Sequence, residues 1–143
     1  MINKGMMSSN TDQWATPQWF FDEVAKEFDF MLDVCADSTN HKCLNYFDKE
    51  KNGLEQNWAE HIEFGSAGWM NPPYGREIGK WCERAATCGR TIVGLLPART
   101  DTKYFHKWIY HRAEIRFIKG RLKFGDAKNS APFPSMLVIW RQK

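Results

Sequence analysis

Residues 68–97 read GWMNPPYGREIGKWCERAATCGRTIVGLLP. The apolar run ending in Trp69-Met70 is stopped by Asn71-Pro72-Pro73. Two successive prolines have a fixed φ and no N–H to donate, so neither a strand nor a helix continues through them. Helical spacing then resumes with Ile78, Trp81 and Ala85. A second apolar run, Thr91-Ile92-Val93-Gly94-Leu95-Leu96, is closed by Pro97. Buried strand, helix and buried strand make the unit from which parallel sheets are assembled.

Toward the N-terminus, Thr16-Pro17 reads as a helix start, with Thr16 as N-cap and Pro17 at the first helical position. Phe20, Phe21, Val24, Ala25 and Phe28 follow at helical spacing. Phe30-Met31-Leu32-Asp33-Val34 is a short apolar run expected to be a buried strand. Asp37 to Leu44 is expected to form a short helix, and residues 45–65 are polar and loop-like. Toward the C-terminus, Tyr104, Phe105, Trp108 and Ile109 mark another helix. Ala113 to Ile118, with alternating Ile115 and Phe117, and Ser135 to Trp140 are the last two strands. The order predicts an α/β domain with a mainly parallel sheet. In such sheets ligands lie beyond the carboxyl ends of the strands, which is where Asn71 falls.

With 143 residues the chain is expected to hold one domain, residues 13–143, after a polar and flexible stretch over residues 1–12. A hydrophobic share of 43% excludes a disordered tail. No window approaches the roughly 18 apolar residues of a membrane span, and no apolar run follows Lys4 as in a signal peptide. No membrane association is expected, and the cytoplasm is the expected location. Cys35, Cys43, Cys82 and Cys88 form no CxxC pair. Cys35, His41 and Cys43 are the one arrangement that invites a metal; incidental thiols of a reduced chain are preferred, and no metal is expected.

Charge is unevenly divided. Residues 1–98 carry 9 Lys+Arg against 14 Asp+Glu, whereas residues 99–143 carry 11 against 3. A basic C-terminal third on an acidic body points to a polyanion docked on one side. Arg99, Lys103, Lys107, Arg121, Lys123 and Lys128 are the candidate phosphate contacts.

Asn71-Pro72-Pro73-Tyr74 carries the chemistry. A side-chain oxygen of Asn71 beside a rigidly held backbone carbonyl gives two acceptors converging on one point. An aromatic ring nearby offers a flat wall. The pair suits a planar group bearing an NH2, with Tyr74 stacked on its face.

Asn71-Pro72-Pro73-Tyr74 resembles the NPPY motif of S-adenosylmethionine-dependent amino-methyltransferases. That motif is shared by enzymes acting on DNA adenine, RNA adenine and protein glutamine. Residues 95–102, LLPARTDT, 120–125, GRLKFG, and 131–136, APFPSM, resemble the small phage DNA N6-adenine methyltransferases, the Dam-like phage family. Residues 14–17, WATP, and 32–36, LDVCA, are similar to the same family, so the match runs from about Gln13 to Arg141. The resemblance implies a single Rossmann-like methyltransferase domain, trimmed, with no separate target-recognition domain. It implies S-adenosyl-L-methionine as cofactor and double-stranded DNA as partner, with transfer to N6 of a flipped-out adenine. It assigns catalysis to Asn71, Pro72, Pro73 and Tyr74, and the far face of the base to Phe124. Asp33 would hold the methionine part of the cofactor, with Thr16-Pro17 on its carboxylate and Trp14 against its adenine or sulfonium. Cys35-Ala36-Asp37 stands where relatives have a Gly-rich loop. An acid should grip the ribose hydroxyls, and the spacing does not decide between Asp48 and Glu55. Sequence discrimination would fall to residues 119–133 or to a second subunit in a homodimer. A nucleic-acid-binding module that keeps the pocket without turnover is the non-enzymatic alternative.

Overall fold

The structure, a computed structural model, describes residues 14–125 and 130–143. The stretch read as flexible, residues 1–12, and Lys128 lie outside the described residues. Five strands form one sheet: β1 Phe30–Asp33, β2 Ala67–Met70, β3 Thr91–Pro97, β4 Glu114–Phe117 and β5 Ser135–Trp140. Their spatial order is β1-β2-β3-β5-β4. β1, β2 and β3 pair in parallel, while β5 is antiparallel to both β3 and β4. Four strands therefore point one way and β5 alone runs back. The expected parallel pairing holds over β1, β2 and β3, and β5 makes the sheet as a whole mixed. The physical reason is that, among the described residues, no crossover helix lies between β4 and β5, so the chain returns antiparallel.

Every residue of β2, β3 and β5 is buried, which is why these strands read as continuous apolar runs. Helix α1, Gln18–Val24, sets Phe21 against Trp69 and Phe30 at centroid distances of 5.1 and 5.2 Å. Helix α2, Ile78–Thr87, buries Ile78, Trp81, Cys82 and Ala85, the face its spacing announced.

Four local expectations change. Thr16 does not cap α1: Pro17 occupies the N-cap position with no side-chain bond, and its carbonyl accepts from Phe20 and Phe21 N–H. The helix ends at Val24, leaving Phe28 beyond it. Asp37 to Leu44 is a series of turns, because Asp37 Oδ1 accepts from Thr39 N and Asn40 N while Asn40 Oδ1 accepts from Asp37 N. Side chains there take the backbone groups that a helix would have paired. The helix expected around Tyr104 is a single π-helical turn, Phe105–Ile109. Phe117 of β4 is 66% exposed. Within residues 45–65, two 3-10 turns, Gly53–Glu55 and Ala59–His61, bring Trp58 and Ile62 into the core.

Candidate active site

β1 and β2 lie side by side and end together, at Asp33 and Met70. A cavity of about 670 Å³ opens off these ends. Trp14, Thr16, Asp33, Cys35, Asp48, Asn71, Pro72 and Pro73 line it. Residues 45–47 run beside the end of β1, with Phe47 N donating to Asp33 O and Ala36 N to Phe47 O, and so deliver Asp48 to the wall. Glu55, the other acid named for the ribose, is exposed and does not line the cavity.

The loop approaches β1 closely at Gly53. A Cβ there would sit 2.1 Å from the Val34 carbonyl oxygen and 3.0 Å from the Trp81 ring. Only a residue without a Cβ lets the loop pack this closely on the strand. Sequence reasoning missed Gly53, together with Asn52 and Trp81, which also line the cavity. Asn52-Gly53 is a turn dipeptide and was the available signal. From α2, Arg84 donates to the carbonyls of Leu54 and Gln56 and lies 5.1 Å over the Trp58 ring, clasping the loop.

Asp33 is 2% exposed. Its Oδ1 accepts from Cys35 N at 3.2 Å and its Oδ2 from Lys42 N at 2.9 Å. Burial outweighs these donors and raises its pKa to about 7. Burial also pushes the Cys35 thiol up to about 12, so it stays protonated and is no nucleophile at neutral pH.

Asn71 follows β2 directly. Its Nδ2 donates to the Trp14 carbonyl and, at 2.9 Å, to Thr16 Oγ1. Its Oδ1 lies 2.9 Å from the Tyr74 hydroxyl, which also lies 2.7 Å from the Leu95 carbonyl. The β2–β3 ladder ends at Met70 and Gly94, so the phenol serves a carbonyl one residue past the paired region. One phenolic hydrogen faces two acceptors. Burial holds the Tyr74 pKa well above its ordinary value, so that hydrogen is retained.

The open aromatic wall expected of Tyr74 is not formed. Tyr74 is 5% exposed and absent from the cavity lining. Its ring meets Phe133 at 5.6 Å and Phe124 at 6.4 Å, both edge to face. Phe124 is likewise buried, and Trp14 packs edge-on against Phe124 at 5.5 Å and Phe133 at 5.1 Å. The physical cause is aromatic packing between side chains that sequence distance hid from one another. Pro17 is also outside the lining.

Arg99, Lys103, Arg121 and Lys123 are exposed and stand apart from the cavity. Arg99 lies 5.7 Å over the Phe133 ring. Among the described residues no group of three or more His, Cys, Asp or Glu could hold a metal ion, and no helix is long and apolar enough to cross a membrane.

Comparison with known proteins adds to this geometry. Residues 4–143 match the family described as DNA N-6-adenine-methyltransferase (Dam). The chain is 30% identical over 154 residues to a DNA N-6-adenine-methyltransferase of Haemophilus phage HP1 (strain HP1c1), covering 100% of this chain and 86% of that relative. A match over nearly the full length, with the NPPY segment at a strand end beside the cavity, places the chain in the DNA N-6-adenine-methyltransferase (Dam) family.

Proposed function

We propose that this chain transfers a methyl group from S-adenosyl-L-methionine to N6 of an adenine swung out of double-stranded DNA. The observation that carries the reading is Asn71, held by its own amide hydrogens at the carboxyl end of β2 on the cavity wall. The sheet, in this reading, is a trimmed Rossmann-like methyltransferase core.

The residues present fit the cofactor. The cavity volume of about 670 Å³ lies within the range of small-molecule sites. A buried carboxylate, Asp33, meets the cavity and would be matched by the ammonium of the methionine part. Asp48 would take the ribose hydroxyls, and Cys35 and Trp14 complete the surroundings we assign to the cofactor. When bound, S-adenosyl-L-methionine supplies an electrophilic methyl on a sulfonium.

The chain's own task is to make a poor nucleophile attack in the right place. The N6 lone pair of adenine is delocalised into the ring. Asn71 Oδ1 and the Pro72 carbonyl would accept its two hydrogens, fix the nitrogen and stabilise the positive charge that develops there. Pro72 and Pro73 keep that corner rigid, so positioning supplies much of the rate. No strong base is required, because the methylated ammonium is itself acidic.

Base extrusion costs a few kcal/mol and needs stacking in return. Tyr74 and Phe124 are our candidates, at about 1–3 kcal/mol each, once the packed Trp14–Tyr74–Phe124–Phe133 cluster parts to admit the base. Arg99, Lys103, Arg121 and Lys123 would meet phosphates. Sequence discrimination falls to residues 119–133 or to a second copy of the chain in a homodimer.

The test is to incubate the protein with mixed-sequence DNA and methyl-labelled cofactor, then locate the label. Recovery in N6-methyladenine is expected. Equal labelling of RNA adenine, or label found in protein glutamine, overturns the DNA assignment. Tight DNA binding with no heat on adding the cofactor overturns the enzymatic one.

A further inference from the structure

Thr16 is 5% exposed, and its hydroxyl oxygen takes no part in starting α1. That oxygen accepts a hydrogen from the amide of Asn71, 55 positions along the chain. The Trp14 carbonyl accepts from the same amide nitrogen. A primary amide has two hydrogens, so the short segment 14–16 engages both.

The consequence is orientational. A carboxamide turned by half a rotation exchanges its oxygen and nitrogen at little intrinsic cost. The Trp14 carbonyl can only accept, so the turned amide would set two oxygens against each other. Thr16 holds the second hydrogen and fixes the plane of the group. Oδ1 is thereby turned away from the segment, toward the Tyr74 hydroxyl. The segment is itself tied down, since the Ala15 carbonyl accepts from Gly125 N at 2.8 Å.

We propose that Thr16 is a positioning residue for methyl transfer: with the Trp14 carbonyl, its hydroxyl oxygen presents Asn71 Oδ1 to the target amine. The proposal rests on Asn71 being the acceptor of that amine. It differs from a cofactor contact, because the partner of Thr16 is the Asn71 side chain.

Thr16→Val keeps the shape of the side chain and removes the oxygen; Thr16→Ser returns the oxygen. Thr16→Val should lower kcat by about tenfold or more while the Kd for S-adenosyl-L-methionine, read by calorimetry, stays within about twofold. Thr16→Ser should recover most of the loss. On an Asn71→Ala background, Thr16→Val should change the rate by less than about twofold, as expected of a residue acting through Asn71. An independent measurement needs no turnover. In the 15N-labelled apoprotein the Asn71 side-chain NH2 signals, assigned by their loss in Asn71→Ala, should exchange slowly, and Thr16→Val should remove that protection.

A tenfold rise in cofactor Kd with kcat intact makes Thr16 a cofactor contact and overturns the proposal. Multiplicative losses in the double variant, or fast amide exchange in the unsubstituted protein, overturn it equally. Failure of the underlying reaction looks different: no transfer to adenine by the unsubstituted protein, with Thr16-dependent amide protection still present, removes the role of Asn71 in catalysis and keeps the contact.

Discussion

Asp33 is the residue whose environment departs furthest from that of a surface acid. Its carboxyl is buried at the end of β1, and desolvation raises its pKa from 3.8 to about 7 despite two backbone donors. A folded-state value above the unfolded one means that the fold disfavours the ionised form. The associated stability is fully present below about pH 4 and is lost as pH rises toward about 7, with no further change above. Glu27, held low first by its hydrogen bond to Arg116, and Glu114, held low first by Arg141, act with the opposite sign, in more acid solution. The Asp33 window is therefore separable. The thermal midpoint of the apoprotein should fall relative to Asp33→Asn between about pH 4 and 7, and the gap should then stay level. Cofactor affinity should rise over the same interval, because a cation is matched only by the ionised carboxylate. Parallel pH profiles for the two proteins in a thermal-shift series would show that Asp33 is not held in a desolvated site.

At the scale of elements, the site is assembled by one loop pressed onto one strand end. Gly53→Ala puts a methyl into the Val34 carbonyl, 2.1 Å away, so the loop must lift from β1. The expected loss is about 1–3 kcal/mol in denaturant unfolding, accompanied by weaker cofactor binding. Unchanged stability would mean that the loop rests on β1 without depending on it. This requirement was not legible in the sequence, since Val34 and Trp81 create it from distant positions. What was legible came from local periodicity. The β2–α2–β3 unit announced itself because both strands are buried on both faces and α2 buries one stripe. The cavity-lining positions Asp33 and Asn71 followed from their places at strand ends. The direction of β5 was not read, because it depends on pairing with β3 and β4 across the sheet. The Asp37–Leu44 turns were missed because helix-compatible residues there bond their own backbone instead. The burial of Tyr74 was missed because Phe133, which covers it, lies 59 positions later.

Across the whole molecule, the strands sharing one direction bring their continuations to one edge of the sheet. β1 and β2 deliver the cavity, β3 leads into Arg99 and Lys103, and β4 leads into Arg121 and Lys123. The last of these segments alternates: Leu122 and Phe124 are buried while Arg121 and Lys123 are exposed. It is held by Ala131 N donating to the Leu122 carbonyl and by Gly125 N donating to the Ala15 carbonyl. The buried half of the segment thus packs with the aromatic cluster beside Asn71, and the charged half stands outside. A duplex docked on that charged half would lie next to the place where an extruded base must enter. In the function proposed above, Lys123, exposed on this charged half, would meet a phosphate. Each phosphate met by a lysine releases condensed counterions, so log affinity falls with log salt in proportion to the number of such contacts. Lys123→Ala should weaken DNA binding by a similar factor on every sequence and reduce the magnitude of the salt slope by about one. The measurement is a fluorescence-anisotropy titration at several salt concentrations on two unrelated duplexes. An unchanged slope removes Lys123 from the interface, and a loss confined to one duplex makes it a base reader instead.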